Sequence, residues 1–343
     1  MKKLLNTLYV TSEDAYLSLD GENVVILSGE EVKGRFPLHT LEGIVTFGYT
    51  GTSPALMGKC AEMNKPLVFM RANGRFLARV TGKCCGNVLL RTAQHTALNG
   101  GTKAFLIAKN MISAKLANSA AVLRRAASDH EMRIDSEAVL DAAACLKENS
   151  VKTYRAADFA SLRGLEGESA NRYFSVFDQM ILQQKEYFRF YGRNRRPPLD
   201  PVNALLSFGY SLLTSMCTNA LEAVGLDSYV GVFHTERPGR CSLALDLAEE
   251  LRAPLIDRFV LSLINMKMVS PRSFCEENDG AVLLTDEARR DFLTAWQKKK
   301  QEEMTHPYLG EKVQWGLVPH VQAMLLARFL RGDIDDYPPF VWK

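Results

Sequence analysis

The stretch TKAFLIAKNMISAKLANSAAVLRRAA, residues 102–127, decides the fold class. Its apolar residues recur every three or four positions and its alanines are frequent, a pattern that is typical of a long helix packed against a core. The same period continues through most of the sequence that follows. We therefore predict that residues 91–343 form a large all-α helical domain.

The sequence before this stretch has a different period. Short segments rich in β-branched and aromatic residues predict strands, and hairpin-type dipeptides separate them, namely Asp20-Gly21, Ser28-Gly29 and Asn73-Gly74. One helix interrupts the strands, because Ser53 is a typical N-cap residue and Pro54 suits the first helical position. Residues 1–90 are therefore predicted to form a mostly-β domain with one inserted helix, which makes the fold class α+β.

The composition is that of a soluble globular chain. Hydrophobic residues make up 47% of the 343 residues and charged residues 24%, as in ordinary proteins of this class. No apolar run approaches the roughly 18 residues that a membrane-spanning helix requires. The seven cysteines are scattered without a C-x-x-C pair, which favours reduced thiols. We expect a cytoplasmic protein without a membrane segment, and the net charge of +3 is too small to indicate a polyanionic partner by itself.

Several common catalytic motifs are absent from the sequence. It contains no G-x-G, G-K-[ST], G-x-S-x-G or H-E-x-x-H. It therefore lacks the usual signatures of nucleotide cradles, hydrolase nucleophile elbows and zincin-type metallopeptidases. The remaining candidates for chemistry are carboxylates, histidines and basic segments.

One candidate site combines His234 with the acids of the short amphipathic run that follows it. On a helix that begins near Ser242, the side chains of Asp246, Glu249 and Glu250 fall within an arc of about 100° beside the apolar face. Oxygen ligands at this border are sheltered enough to converge on a metal ion. The alternative is a solvated acidic helix face next to a hydrogen-bonded or surface histidine, which is the more frequent arrangement for such a pattern.

A second acidic candidate is Glu166, which lies between Gly164 and Gly167. Glycines on either side predict a tight turn that leaves Glu166 near the start of the next helix. The alternative is a helix-starting acid that only interacts favourably with the helix dipole.

Residues 187–210, YFRFYGRNRRPPLDPVNALLSFGY, form the main basic candidate. Aromatic residues alternate there with arginines at positions 189, 193, 195 and 196. Arginines bind phosphates in bidentate fashion and aromatic rings stack on unpaired bases, so the mixture suits single-stranded or frayed nucleic acid. The alternative is a solvated arginine loop.

Four blocks in this order resemble the CRISPR-associated protein one family, the integrase subunit that inserts new spacers into CRISPR arrays. They are LRGLEGESANRYF (162–174), RNRRPPLDPVNALLSFGY (193–210), GVFHTERPGRCSLALDLAEELRAPLIDRFVLSLIN (231–265) and GLVPHVQAMLLARFLRGDIDDYPPFVWK (316–343). The β-then-α layout matches as well, and the YPPF ending and the amino terminus look most like members of subtype I-C.

The resemblance implies a divalent metal, Mg²⁺ or Mn²⁺, held by Glu166, His234 and acids at Asp246 and Glu249. It leaves open whether Asp246 or Glu249 is the direct ligand. Such an ion neutralises the charge that develops when the 3′ hydroxyl of incoming DNA attacks a phosphodiester. The implied enzyme is thus a metal-dependent integrase, and an endonuclease when water replaces the hydroxyl.

The resemblance also implies DNA contacts and protein partners. Arg193, Arg195 and Arg196 are expected to hold the DNA backbone, with Asn203 and Tyr210 lining the site. The expected partners are double-stranded DNA with free 3′ ends, CRISPR repeat and leader DNA, a second copy of the chain joined through the β half, and CRISPR-associated protein two.

Two other functions compete with this one. A small-molecule phosphohydrolase with a helical metal site has no use for the arginine segment, so neutralising its arginines would leave hydrolysis intact. A non-catalytic nucleic-acid-binding scaffold would keep its whole activity after Glu166→Ala and His234→Ala.

Overall fold

The computed structural model describes residues 6–12, 14–49, 51–82, 88–98, 101–194 and 196–342. The chain divides into two compact units. The first comprises Met1–Cys85, Leu284–Glu303 and Gln314–Leu317, and the second comprises Gly86–Leu283, Met304–Val313 and Val318–Lys343. The two continuous ranges predicted from the sequence differ from this division, because a helical period shows that a segment is a helix but not which core it joins. Arg195 lies outside the described residues.

Among its described residues, the first unit contains eight strands in two four-stranded sheets. The strands are β1 (Thr7–Val10), β2 (Ala15–Asp20), β3 (Asn23–Ser28), β4 (Glu31–Pro37), β5 (Gly43–Phe47), β6 (Gly51–Thr52), β7 (Leu67–Met70) and β8 (Phe76–Val80). Their orders are β1-β5-β7-β8 and β4-β3-β2-β6.

The helices of the described residues are α1 (Pro54–Glu62), α2 (Val88–Leu98), α3 (Thr102–Asp129), α4 (Ser136–Lys152), α5 (Phe159–Ser175), α6 (Pro201–Ala223), α7 (Ser242–Glu249), α8 (Arg258–Asn265), α9 (Asp286–Gln301) and α10 (Val318–Arg331). Of these, α1 and α9 belong to the first unit. No helix in the described part of the chain is long and apolar enough to cross a membrane.

The three predicted hairpins are confirmed, but half of the strand pairs in these two sheets are parallel. Antiparallel pairs join β2 to β3, β3 to β4 and β7 to β8, and the turn glycines Gly21, Gly29 and Gly74 have positive φ angles of 57°, 58° and 80°. The pairs β1/β5, β5/β7 and β2/β6 are parallel. The sequence prediction missed these pairs because turn residues identify local connections, whereas parallel strands meet through crossovers such as α1.

The inserted helix α1 begins as predicted. The Ser53 side chain accepts a hydrogen bond from Leu56 N at 3.2 Å, and Pro54 occupies the first turn. Leu56 is fully buried with Leu17 and Ile44 in the core of this unit. As predicted, α1 is the one α-helix among the described residues 6–82, and α9 joins the same unit from a later part of the sequence.

The second unit is built around α3. Its small and apolar side chains are buried along most of its 28 residues, and it packs against α4, α5 and α7. Aspartates that accept hydrogen bonds from the first turn begin α4, α5 and α6, namely Asp135, Asp158 and Asp200.

The part predicted as all-α also contains short strands. They are β9 (Phe274–Glu276) with β10 (Val282–Leu284) and β11 (Glu303–Thr305) with β12 (Lys312–Gln314). Each strand has three residues, too few to produce an alternating pattern that can be recognised among helical segments.

Candidate active site

The helix α7 begins at Ser242 as the sequence predicts, but its acids are more sheltered than expected. Asp246, Glu249 and Glu250 are 1%, 3% and 0% exposed. The apolar side of the helix faces the core, as Leu243 and Leu247 are fully buried. The acids therefore do not form a solvated face, because neighbouring helices cover them as well.

Asp246 uses both carboxylate oxygens to fix the segment that carries His234. Its Oδ2 accepts hydrogen bonds from Val232 N at 2.7 Å and Phe233 N at 3.1 Å, and its Oδ1 accepts one from His234 N at 2.9 Å. The same Oδ1 lies 2.6 Å from His234 Nδ1. This bond holds the Nδ1 proton and leaves Nε2 of the neutral ring with a free electron pair.

Gly231 makes this close approach possible. A Cβ atom there would lie 2.5 Å from the Ser242 Cβ and 3.0 Å from Asp246 Oδ2. The loop before His234 can therefore press against the start of α7 only because this residue has no side chain.

Glu249 lies among cations. Its Oε1 is 2.7 Å from Arg252 Nη1 and 3.8 Å from His234 Nε2, and its Oε2 is 2.8 Å from Lys115 Nζ. Burial raises the pKa of Glu249, but the Arg252 guanidinium and the Lys115 ammonium outweigh burial and bring the pKa to about 2. The carboxylate is therefore ionised at neutral pH despite its burial.

Glu166 reaches the same place from a different element than predicted. It lies in the middle of α5, which runs without interruption through Gly164 and Gly167, so the predicted turn at this residue is wrong. The helix instead begins at a capping box formed by Asp158 and Ser161. Two glycines were not enough to break a helix with this strong start. The Glu166 carboxylate accepts a hydrogen bond from Lys115 Nζ.

A π-helical turn at Arg252–Asp257 brings further side chains to the site. In such a turn hydrogen bonds join residues five apart, so its first and last residues share a side of the helix. Tyr210 meets both of them, because the Arg252 guanidinium lies 5.0 Å from its ring centroid and its hydroxyl donates to Asp257 Oδ1 at 2.5 Å. Tyr173 donates to the other oxygen of Asp257 at 3.0 Å. Burial raises the pKa of Asp257 to about 6, although both tyrosine hydrogen bonds lower it.

Sequence reasoning missed Lys115, Arg252, Tyr173 and Asp257. Only Lys115 left a signal that could have been read from the sequence. It is a lysine among the small and apolar residues of α3, and its neighbours Ala114 and Leu116 are buried. A charged residue in such a place usually has a buried counter-charge.

The aromatic and basic segment is divided between core and surface. Phe188 and Phe190 are buried, so they are not free to stack on bases, whereas Tyr191 is 85% exposed. Arg196 is exposed. Arg193 turns inward, where it lies 5.3 Å from the Tyr210 ring centroid and donates to Ser207 Oγ at 3.0 Å.

Asn203 holds this segment in place from within. It is fully buried, and its Nδ2 donates to Gly192 O at 2.8 Å and to Asp200 Oδ2 at 2.6 Å. Its Oδ1 accepts from Arg193 Nη1 at 2.5 Å. This placement differs from the DNA contact predicted from the sequence, because no polar atom of Asn203 remains for a ligand. Tyr210 does line the candidate site.

The donor set fits a hard divalent cation. Glu166, Glu249 and His234 Nε2 offer two carboxylates and one imidazole, and the buried Oε2 of Glu249 faces a positive charge, the Lys115 ammonium at 2.8 Å. The Lys115 ammonium now lies between the two carboxylates. With the side chains in this arrangement, the described residues contain no cluster of three or more His, Cys, Asp or Glu spaced to hold a metal.

Comparisons with known proteins agree on one family. The model of CRISPR associated protein Cas1 matches residues 8–298. A CRISPR-associated endonuclease Cas1 of Rhodospirillum rubrum is 51% identical over 347 residues, which cover the whole of both chains. A casposase bound to integration product has the same fold, with a TM-score of 0.84 at 24% identity over 98% of this chain and 94% of that one. A Cas6-RT-Cas1–Cas2 complex gives a TM-score of 0.81 at 23% identity over 98% of this chain and 36% of that one.

The chain therefore belongs to the Cas1 family of CRISPR-associated endonucleases and integrases. The resemblance drawn from the four sequence blocks is confirmed at this level, and the closer likeness to subtype I-C stays a prediction.

Proposed function

We propose that this protein cleaves and joins DNA strands with the help of Mg²⁺ or Mn²⁺, and that it inserts spacer DNA into a CRISPR array through attack of a 3′ hydroxyl on a phosphodiester. The observation that carries the proposal is a point occupied by a positive charge, the Lys115 ammonium between the carboxylates of Glu166 and Glu249, with the other oxygen of Glu249 3.8 Å from His234 Nε2. Such a point binds a divalent ion well, and the ion would neutralise charge developing on the phosphodiester.

The hydrogen bonds support distinct roles for the two acids that the sequence left undecided. Glu249 would be the direct metal ligand, because its carboxylate faces the cations and His234 Nε2. Asp246 would act through His234, since its oxygens are already engaged by three backbone N–H groups and by Nδ1. A carboxylate that binds the far nitrogen of a ligating histidine sets its tautomer and orientation.

The residues beside the metal ligands suit a DNA substrate. Arg252 and Tyr210 stack against each other at the site, and both are held by buried carboxylates, Glu249 and Asp257. Arg196 and Tyr191 are exposed and would contact phosphate and base, and Arg195 would join them in binding phosphate. Arg193 would support the surface from within through Tyr210.

A second copy of the chain is the proposed partner of the first unit. Strand β4 lies at the edge of its sheet, and its Val32 and Phe36 side chains are 48% and 37% exposed. An edge strand with apolar side chains is a surface on which another chain can pair. Assembly with CRISPR-associated protein two is proposed by analogy with the Cas6-RT-Cas1–Cas2 complex, which shares the fold.

A strand-joining assay tests the proposed function. Purified protein, with its small partner protein, is mixed with a short duplex bearing free 3′ ends, a supercoiled target plasmid and Mg²⁺ or Mn²⁺. We expect joined products with wild type and with His95→Ala, which removes an exposed histidine of α2, and none with His234→Ala or in the presence of chelator.

The other outcomes separate the competing functions. Equal joining by wild type and His234→Ala, or no joining by either, would reject the integrase. DNA binding that survives His234→Ala with no chemistry in either protein would favour the scaffold. Phosphate release from small esters that is indifferent to Arg196→Ala and to DNA would favour the phosphohydrolase.

A further inference from the structure

Lys115 occupies the centre of the candidate site without being one of its predicted ligands. Its ammonium donates to Glu166 Oε1 and lies 2.8 Å from Glu249 Oε2. These carboxylates come from α5 and α7, two elements far apart in sequence, and Lys115 on α3 joins them. Without a cation at this point, two ionised carboxylates would repel each other in a sheltered place.

We propose that Lys115 is a tethered internal cation that keeps the site assembled when no metal is bound, and that a divalent ion must displace it. This inference rests on the proposed function, because it assumes that the two carboxylates bind metal. Mg²⁺ and Mn²⁺ need carboxylate oxygens at about 2.0 to 2.2 Å. An ammonium bonded to the same two oxygens leaves no room for that ion, and two positive charges at one point repel each other.

Lys115 rather than Arg252 is the cation that moves. Arg252 is fixed by the Tyr210 ring as well as by Glu249 Oε1, and it binds the oxygen of Glu249 that Lys115 does not. The Lys115 side chain is 16% exposed and has a flexible four-carbon stem. It can therefore withdraw while the guanidinium stays in place.

The proposal predicts that replacing Lys115 by methionine raises the affinity for metal but lowers the stability in chelator. In Lys115→Met the competing ammonium is gone, so Mn²⁺ should bind about tenfold or more tightly than in wild type, the value of one charge-assisted hydrogen bond to a buried carboxylate. The same variant should melt at a lower temperature than wild type in chelator, because the two carboxylates then face each other without a cation. Added Mn²⁺ should raise the melting temperature of Lys115→Met back towards that of wild type.

The experiment titrates the full-length protein with Mn²⁺, follows the free ion by electron paramagnetic resonance, and records thermal melting with and without chelator. Lys109→Met is the matched control, since Lys109 lies on the same helix and donates to Tyr154 O at 3.2 Å, away from the acids. It should bind Mn²⁺ as wild type does. Lys115→Arg keeps the charge and should stay close to wild type in affinity.

Three results would overturn the proposal. They are a Lys115→Met affinity equal to or weaker than that of wild type, a Lys115→Arg affinity raised as much as that of Lys115→Met, and a Lys115→Met protein that is unfolded in chelator and not restored by Mn²⁺. Failure of the proposed function gives a different result, because wild type and Lys115→Met would then both fail to take up Mn²⁺.

Discussion

Glu249 and Glu250 are neighbours in sequence and both are buried, yet their surroundings differ in kind. Glu249 faces the charged side chains of Lys115 and Arg252. The Glu250 carboxylate accepts hydrogen bonds from neutral donors, with Tyr337 OH at 2.8 Å, Gln322 Nε2 at 2.9 Å and Phe340 N at 2.8 Å. Burial raises the pKa of Glu250 to about 8, whereas Glu249 has a pKa of about 2.

Because of this difference, Glu249 and Glu250 have different roles within one turn of helix. Charged neighbours keep Glu249 ionised and able to bind a cation. Neutral neighbours leave Glu250 protonated at neutral pH, where it anchors the carboxy-terminal segment against α7 and α10. Burial alone therefore does not distinguish these two acids, whereas the charges around each carboxylate do, and they make Glu249 the candidate for binding a cation.

The largest expected effect comes from neutralising the two acids in turn. Glu249→Gln should lower strand joining roughly 100- to 1000-fold, because it removes a charged group from the centre of the reaction. Glu250→Gln should leave joining close to wild type, since Gln mimics the protonated acid. Comparable losses in both variants, with intact circular dichroism spectra, would remove the distinction between the two sites.

Replacing Asn118 should have the next largest effect, which is a loss of stability. Its Nδ2 donates to Glu250 O at 2.7 Å and to Phe340 O at 2.8 Å, and its Oδ1 accepts from Trp342 N at 2.8 Å. Asn118→Ala leaves these backbone groups without partners and should lower the free energy of unfolding by about 2–4 kcal/mol. Urea denaturation measures the change, with exposed Asn171→Ala as the control. A loss no greater than that of the control would show that the carboxy-terminal segment is not anchored here.

Asp246→Asn tests the positioning of His234. An amide cannot accept hydrogen bonds at both of its heavy atoms, so the histidine loses its fixed tautomer or the loop loses a backbone bond. Mn²⁺ affinity should fall about 10- to 100-fold, less than the loss caused by His234→Ala. Calorimetric titration gives the affinity. If Asp246→Asn abolished binding as completely as Glu249→Gln does, Asp246 would be a direct ligand instead.

The last expected effect is a change in how stability depends on pH. The folded protein keeps the Glu250 proton up to a pKa of about 8, whereas the unfolded carboxyl releases it near its ordinary value of 4.5. Rising pH between these values therefore favours unfolding. The melting temperature of Glu250→Gln should fall less than that of wild type from pH 5 to pH 8. Parallel curves for the two proteins would contradict the raised pKa.

The contribution of Glu249 to stability has the opposite sign. Its pKa lies below the ordinary value of 4.5, so its stabilising effect is present above that pH. It is lost as the pH falls towards 2.

Local signals predicted much of this molecule from its sequence. The Ser53 cap, the three glycine turns and the start of α7 depend on neighbouring residues, and all are confirmed. The expectation that Glu166, His234, Asp246 and Glu249 lie near one another came from the family blocks. Periodicity alone left the acids of α7 more typical of a solvated face.

Contacts between distant segments could not be predicted in the same way. Lys115 meets Glu166 across 51 positions, and Tyr210 meets Asp257 across 47. No local pattern encodes which helix covers which. The parallel strand pairs and the membership of α9 in the first unit escaped prediction for the same reason. Glu166 was misplaced because the capping box at Asp158 outweighed its flanking glycines.

Anomalous diffraction from crystals grown with Mn²⁺ tests the proposed metal site most directly. We expect one strong peak bonded to Glu166, His234 Nε2 and Glu249, with Lys115 Nζ moved away and Asp246 still bonded to Nδ1. A peak bonded to Asp246 in place of Glu249, or no peak between these side chains at saturating Mn²⁺, would contradict the site.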